Sequence, residues 1–175
     1  EFLALLNNDL VLTPGWLEPM LAAFRRVPRA GVVGNIQLNA STGAVDHAGV
    51  VFRDGGYPVH LRDDPAEFAV DGLAQFPAVT AACCLVRREW FLRTGGFDEG
   101  YRNGFEDTDL CLRARGDGFV HPVATDSVVR HHVSASEGRG THEFRNARRF
   151  LARWAPRAAA LEREAKRLAR LATDI

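Results

Sequence analysis

The chain has 175 residues, 46% of them hydrophobic, which suits one globular domain with a substantial core. Its 22 Lys and Arg balance 22 Asp and Glu, excluding a whole-molecule field that would draw it to nucleic acid or to an anionic surface. Cys83, Cys84 and Cys111 form neither a disulfide framework nor a Cys-x-x-Cys pair, no run approaches the roughly 20 apolar residues of a membrane span, and no cleavable leader opens the sequence, so a cytoplasmic protein with reduced thiols is expected.

Phe2 to Leu6 is a continuous apolar run ending in Asn7-Asn8-Asp9, the pattern of a strand buried on both faces with ligand groups at its C-terminal end. Such a strand needs neighbours on both sides. Thr13-Pro14 predicts a cap and first turn for a helix whose apolar stripe is Trp16, Leu17, Met20, Leu21 and Phe24. Gly31 to Leu38 and Val45 to Phe52 read as strands. Arg53 to Ala74, rich in Gly, Asp and Pro, reads as a long surface loop with one short helix, and is a candidate for acceptor contact.

Val79 to Val86 is a dense strand of small and apolar residues, followed by a short helix over 89–93, the turn Gly95-Gly96, and a helix over 106–115 closed by Gly116. Short strands are expected near Phe119-Val120 and at 127–132. Two helices then follow, over 141–154 and 158–172, separated at Pro156. Helix and strand alternate, so the fold class is α/β.

Three places could carry chemistry. Asn7-Asn8-Asp9 after an apolar strand is where open α/β sheets put ligand groups, and Asp9 can hold a divalent cation; the same residues also suit a plain turn. Around Gly95-Gly96-Phe97-Asp98-Glu99 and Glu106-Asp107-Thr108-Asp109, five carboxylates gather near a helix start. Capping and the helix dipole account for part of that cluster, and Asp98 and Asp109 are assigned mainly to structure. Glu106-Asp107 differs, because the approach Tyr101-Arg102-Asn103-Gly104 could leave a carboxylate open to accept a proton from a substrate hydroxyl. His131-His132 ends a Val-rich strand, where successive side chains point to opposite faces, so one of the two could join a common site; His131 is favoured.

In this order the motifs resemble family-2 glycosyltransferases of the GT-A fold, bacterial rhamnosyltransferases in particular, from Phe2 to about Trp154. The matching blocks are Leu5-Leu6-Asn7-Asn8-Asp9, Val79 to Arg88, Gly95 to Glu99, Glu106 to Cys111, and His131-His132 with Ser136. The resemblance implies a GT-A-like mixed sheet flanked by helices, with a C-terminal helical tail and without the N-terminal nucleotide-binding strands, hence a fragment. Residues 1–155 would be the catalytic and acceptor-side part, and 156–175 a basic amphipathic helix.

The resemblance further implies that Asn8 and Asp9 contact the donor and that Asp9, with His131 or His132, holds Mn²⁺ or Mg²⁺, Asn7 standing where the family's first Asp often lies. Asp107 would be the general base of an inverting transfer, with Glu106 positioning the acceptor or orienting Asp107. Thr80, Ala81 and Ala82 would let a sugar approach the backbone, and Arg102 would contact donor or acceptor. The partners implied are a nucleotide-sugar donor and a saccharide or lipid-linked acceptor, in cell-wall or polysaccharide biosynthesis. A catalytically silent remnant serving as a binding or assembly module is the alternative, with a metal-dependent hydrolase behind it.

An unpaired apolar strand also predicts a homo-oligomer. The tail carries Arg145, Arg148, Arg149, Arg153, Arg157, Arg163, Lys166, Arg167 and Arg170 between Phe144, Phe150, Leu151, Trp154, Leu161, Leu168 and Leu171. Packing of its apolar stripe is favoured over peripheral attachment to the inner face of the membrane, and nucleic-acid binding ranks below both.

Overall fold

A computed structural model describes residues 1–62, 69–132 and 141–173, with side chains to residue 163. Ser136 and the last basic side chains of the tail lie outside the described residues.

The chain runs β1 (Phe2–Leu6), β2 (Leu10–Leu12), α1 (Leu17–Arg26), β3 (Val32–Asn39), β4 (Val45–His47), β5 (Val50–Arg53), β6 (Tyr57–His60), β7 (Leu73–Phe76), β8 (Cys83–Arg87), α2 (Arg88–Arg93), α3 (Glu106–Gly116), β9 (His121–His131) and α4 (Glu143–Thr173). A mixed sheet of order β1-β8-β3-β9-β2 is extended by β4 on β3 and by β7 on β9, while β5 and β6 form a separate hairpin. Among the described strands, only β3 and β9 pair in parallel. The fold is therefore α/β with a mixed sheet, as expected.

Successive residues of the central strands feed opposite layers, as the period of two requires. Val32, Cys84, Val86 and Val123 pack with Trp90, Leu110, Cys111 and Ala114 on one face. Val33, Leu85 and Ala124 pack with Met20, Ala23 and Phe24 of α1 on the other. A third cluster joins Phe52, Tyr101 and Leu112 to Phe150 and Ala158 of α4. The close approach behind Gly49 is specific: its φ of +147° suits glycine, and a Cβ there would fall 2.4 Å from the Phe76 ring.

Several expectations are corrected. The apolar run of β1 suggested burial on both faces, but among the described residues β1 pairs only with β8, and Leu6 is 44% exposed. Thr13 does not cap α1; its hydroxyl donates to the Val128 carbonyl, and the helix starts three residues after Pro14 with no side-chain cap. The strand expected from Val79 begins at Cys83, because residues 79–82 turn across the end of β1, where Asn7 N–H donates to the Ala82 carbonyl at 2.8 Å.

The loop from Arg53 contains β6 and ends in β7, strands that its Gly and Pro content concealed, while residues 63–68 lie outside the described residues. Of the two short strands expected after Gly116, Phe119-Val120 supplies only an isolated bridge from Val120 to Ala30, while the second is the end of a longer strand, β9; the expected break at Pro156 is absent because one helix, α4, runs through it. Proline lacks one N–H, and here tertiary packing on both sides, through Phe150 and Ala158, outweighs that loss.

Candidate active site

Topology gathers the chemistry at one end of the sheet. One edge of β9 is shared by two partners, β7 over its first residues and β2 over its last, where Leu10 faces His131. That register sets Asp9 beside His131: His132 N–H donates to the Asp9 carbonyl at 3.0 Å, and His131 Nε2 lies 3.2 Å from Asp9 Oδ1. The turn over 80–82 joins the end of β1 to the start of α3, with Ala81 N–H donating to Asp107 Oδ2 at 3.1 Å. These elements line a cleft of about 380 Å³.

Of the residues singled out by sequence, Asp9, Thr80, Ala81, Ala82, Glu106, Asp107 and His131 line this cleft, together with Asn7. Asn8, Arg102 and His132 do not. Asn8 is exposed in the turn; His132 alternates to the outside of the strand end while His131 is 3% exposed. Arg102 is exposed and contributes its backbone to a contact with Asn146.

Asp107 is held firmly. Besides Ala81 N–H, it accepts from Thr108 N–H at 2.6 Å and from the Thr108 hydroxyl at 3.3 Å, so its carboxylate is oriented at the start of α3. Glu106 Oε2 accepts from Gly104 N–H at 2.6 Å. Burial, and then the neighbouring Asp107 charge, push the Glu106 carboxyl above its usual range. Asp109, by contrast, is fully buried and faces away from the cleft: it accepts from Arg113 Nε at 2.8 Å, Trp154 Nε1 at 2.8 Å and Arg153 Nη1 at 3.2 Å. Asp98 accepts two bonds from Arg149 and one from Arg153, and the Arg149 guanidinium holds its carboxyl below the ordinary value. Both have structural partners, as assigned from sequence.

On the histidine side, His131 Nδ1 is buried with no hydrogen-bond partner among the described residues and sits 3.7 Å from Asp46 Oδ2, while Asp46 Oδ1 lies 3.5 Å from Arg62. His47, fully enclosed, accepts from Thr80 N–H at 3.4 Å through Nε2. Burial, then the nearby His60 and His131, push its pKa well below the ordinary imidazole value, so it stays neutral.

The donor set bears on a divalent cation. Among the described residues, no group of three or more His, Cys, Asp or Glu is gathered to cage an ion. One carboxylate oxygen and one imidazole nitrogen 3.2 Å apart do fit two adjacent positions on a single Mn²⁺ or Mg²⁺, since ligands at about 2.1 Å and right angles stand about 3 Å apart. Asp46 lies on the far side of the ring, where an orienting carboxylate belongs.

Sequence reading missed Asp46, Gln37, Tyr57, His60, Glu143 and Asn146, all but Asp46 lining the cleft. Tyr57 and His60 fell in the segment flagged for acceptor contact. Glu143 and Asn146 open the helix read as a tail. Tyr57 hydroxyl donates to Glu143 Oε1 at 2.9 Å, and its ring meets Phe105 edge-on at 5.6 Å, closing one wall.

No protein-family model matches the chain. It is 38% identical over 146 residues to the uncharacterised protein y4gI of Sinorhizobium fredii, covering 79% of this chain and 16% of that one. It is 35% identical over 144 residues to the O-antigen biosynthesis protein RfbC of Myxococcus xanthus, covering 78% and 11%. It is also 29% identical over 157 residues to the N-acetylglucosaminyl-diphospho-decaprenol L-rhamnosyltransferase of Mycobacterium tuberculosis, covering 79% and 49%. The chain thus spans half or less of the length of these relatives. The structure superposes on GalNAc-T7, solved with UDP, GalNAc and Mn²⁺, with a TM-score of 0.61 and 15% identity, covering 87% of this chain and 31% of that one.

By its structure the chain has the GT-A fold. Within this GT-A frame, the cleft lies where β1 and β2 meet through Asn7-Asn8-Asp9. No helix among the described residues is long and apolar enough to cross a membrane.

Proposed function

We propose that the chain forms the metal- and acceptor-side part of an inverting, family-2-like glycosyltransferase that moves a sugar from a nucleoside-diphosphate donor to a hydroxyl of a saccharide or lipid-linked acceptor. The observation that carries this reading is that the Asp9–His131 pair and the Glu106–Asp107 pair line one cleft. Separate clefts would have permitted metal binding or proton transfer, but not both on one substrate pair.

Asp9 and His131 would hold the cation, whose charge would offset that developing on the departing diphosphate. Asp107 would take the proton of the acceptor hydroxyl as its oxygen bonds to the anomeric carbon. The bond from that carbon to the diphosphate oxygen breaks on the opposite face, the nucleoside diphosphate leaves with the bonding pair, and configuration inverts. The hydrogen bonds from Ala81 and Thr108 fix the direction of the Asp107 carboxylate, which matters because a general base must lie within hydrogen-bond reach of the proton. Glu106, more basic through burial, would hold the acceptor in register.

In polysaccharide or cell-wall assembly the reaction would run at the cytoplasmic side, with α4 beside the inner membrane surface and with the β1 edge, unpaired among the described residues, open to a second copy. Asp107→Asn in the full-length protein tests the mechanism: transfer is expected to fall by about 100-fold or more with nucleotide affinity retained, the size of a lost general base. Unchanged turnover would remove Asp107 from that role.

A further inference from the structure

The loop that delivers Glu106 and Asp107 to the cleft takes an unfavourable path. Asn103, Gly104 and Phe105 have φ of +53°, +133° and +74° in succession. Asparagine tolerates that region and glycine is free in it, but phenylalanine is not, so this loop does not hold itself.

What holds it comes from α4. Asn146 is 1% exposed, and its side-chain Nδ2 donates to the carbonyls of Arg102 at 2.8 Å and Gly104 at 3.0 Å, while Oδ1 accepts from Arg102 N–H at 3.3 Å. Both backbone polar groups of Gly104 are thereby held, its carbonyl by Asn146 and its N–H by Glu106. Both amide donors are spent on loop backbone, which leaves Asn146 little to offer a substrate although it borders the cleft. One turn further along α4, Phe150 packs on the Phe105 ring at 5.5 Å and braces the same loop.

We infer that Asn146 is a positioning residue: it locks the 102–105 loop in its left-handed path and so sets where Glu106 and Asp107 stand. The effect on turnover rests on the transferase reading; the effect on the loop does not. The tail helix is thus part of the site.

The experiment compares the full-length protein with Asn146→Ala and the near-isosteric Asn146→Asp, which keeps the acceptor and loses both donors. Hydrogen exchange at the amides of Gly104 to Asp107 is expected to quicken tenfold or more in both variants, with the amides of β3 and β9 unchanged. The Glu106 carboxyl, followed by NMR, is expected to titrate higher than in the wild type once the Gly104 N–H is released. Where transfer is measurable, kcat falls at least tenfold at unchanged donor KM. Loop exchange and Glu106 titration at wild-type values in either folded variant would overturn the proposal, as would a uniform rise in exchange across the sheet. Absence of turnover in the wild type would count against the transferase reading alone, the exchange and titration still deciding the role of Asn146.

Discussion

Asp109 separates a carboxylate that builds the fold from those that line the cleft, and its removal has a calculable cost. Its side chain has no exposure, and three donors converge on it: Arg113, itself 16% exposed, Trp154 Nε1, and Arg153, 44% exposed. Breaking a buried charge pair from one side costs about 3–5 kcal/mol, because the partner is left charged and unpaired. Here Arg113 keeps the Gly96 carbonyl at 2.6 Å, so its share falls to the lower end. Arg153 is exposed enough to add little. The Trp154 N–H, left without its acceptor, adds about 1 kcal/mol. Asp109→Ala is therefore expected to lose about 3–4 kcal/mol, and Asp109→Asn, which can still accept from Trp154, clearly less. Urea denaturation at pH 7 measures this as a fall in midpoint at constant slope. A loss under about 1 kcal/mol for the Ala variant would mean that the buried network is not holding α3 to α4.

Two predictions concern pH. Burial lowers His121 to about 4 from an ordinary value of 6.5, so the folded state prefers it neutral; that stability is full above pH 6.5 and is lost as pH falls toward 4. At pH 5 the loss from this group is about 2 kcal/mol, with His47 acting in the same direction, and urea titrations at pH 7 and pH 5 giving equal stability would contradict it. Glu106 has the opposite sign: its folded pKa is raised above 4.5, so its contribution is full below 4.5 and is lost as pH rises through the folded value. Glu106→Gln is expected to melt at or above the wild-type temperature at pH 7, with the advantage gone near pH 4; a lower melting temperature at pH 7 would show that the ionised carboxylate is stabilising where it stands.

The site was legible where chemistry follows directly on a regular element. Asp9 after an apolar strand, Asp107 at a helix start and His131 at a strand end all line the cleft. The second partner of each was not legible, because it depends on register and crossover rather than on local pattern. Nothing in the sequence pairs Leu10 with His131, yet that pairing brings Asp9 within 3.2 Å of the imidazole. Asp46 lies in the run 45–52 read as one strand, which divides into β4 on the large sheet and β5 in the hairpin, so the face it takes could not be read from the period. Asn146 was hidden in a helix that basic composition marked as a tail, although its polar side chain, 1% exposed among arginines, is the residue tied to the loop. The left-handed run at Asn103-Gly104-Phe105 had a visible half, Asn-Gly, and an invisible one, since no propensity foretells phenylalanine there. In the fold, continuous apolarity suggested burial of β1 on both faces, but an edge strand can also be apolar, and only the strand order distinguishes them. Pro156 failed as a helix end because the contacts of Phe150 and Ala158 hold α4 on both sides of it.

If Asp9 and His131 form the cation and diphosphate end of a glycosyl-transfer site, calorimetry with UDP, GDP and dTDP, each with and without Mn²⁺, will show it. Heat of binding for one of these nucleotides is expected only when Mn²⁺ is present, and is expected to vanish in Asp9→Ala and in His131→Ala while both variants keep the wild-type melting temperature to within a few degrees. Binding that is indifferent to Mn²⁺, or that survives both substitutions, would place the diphosphate elsewhere, and no heat with any of the three would favour a silent binding module built on the same fold.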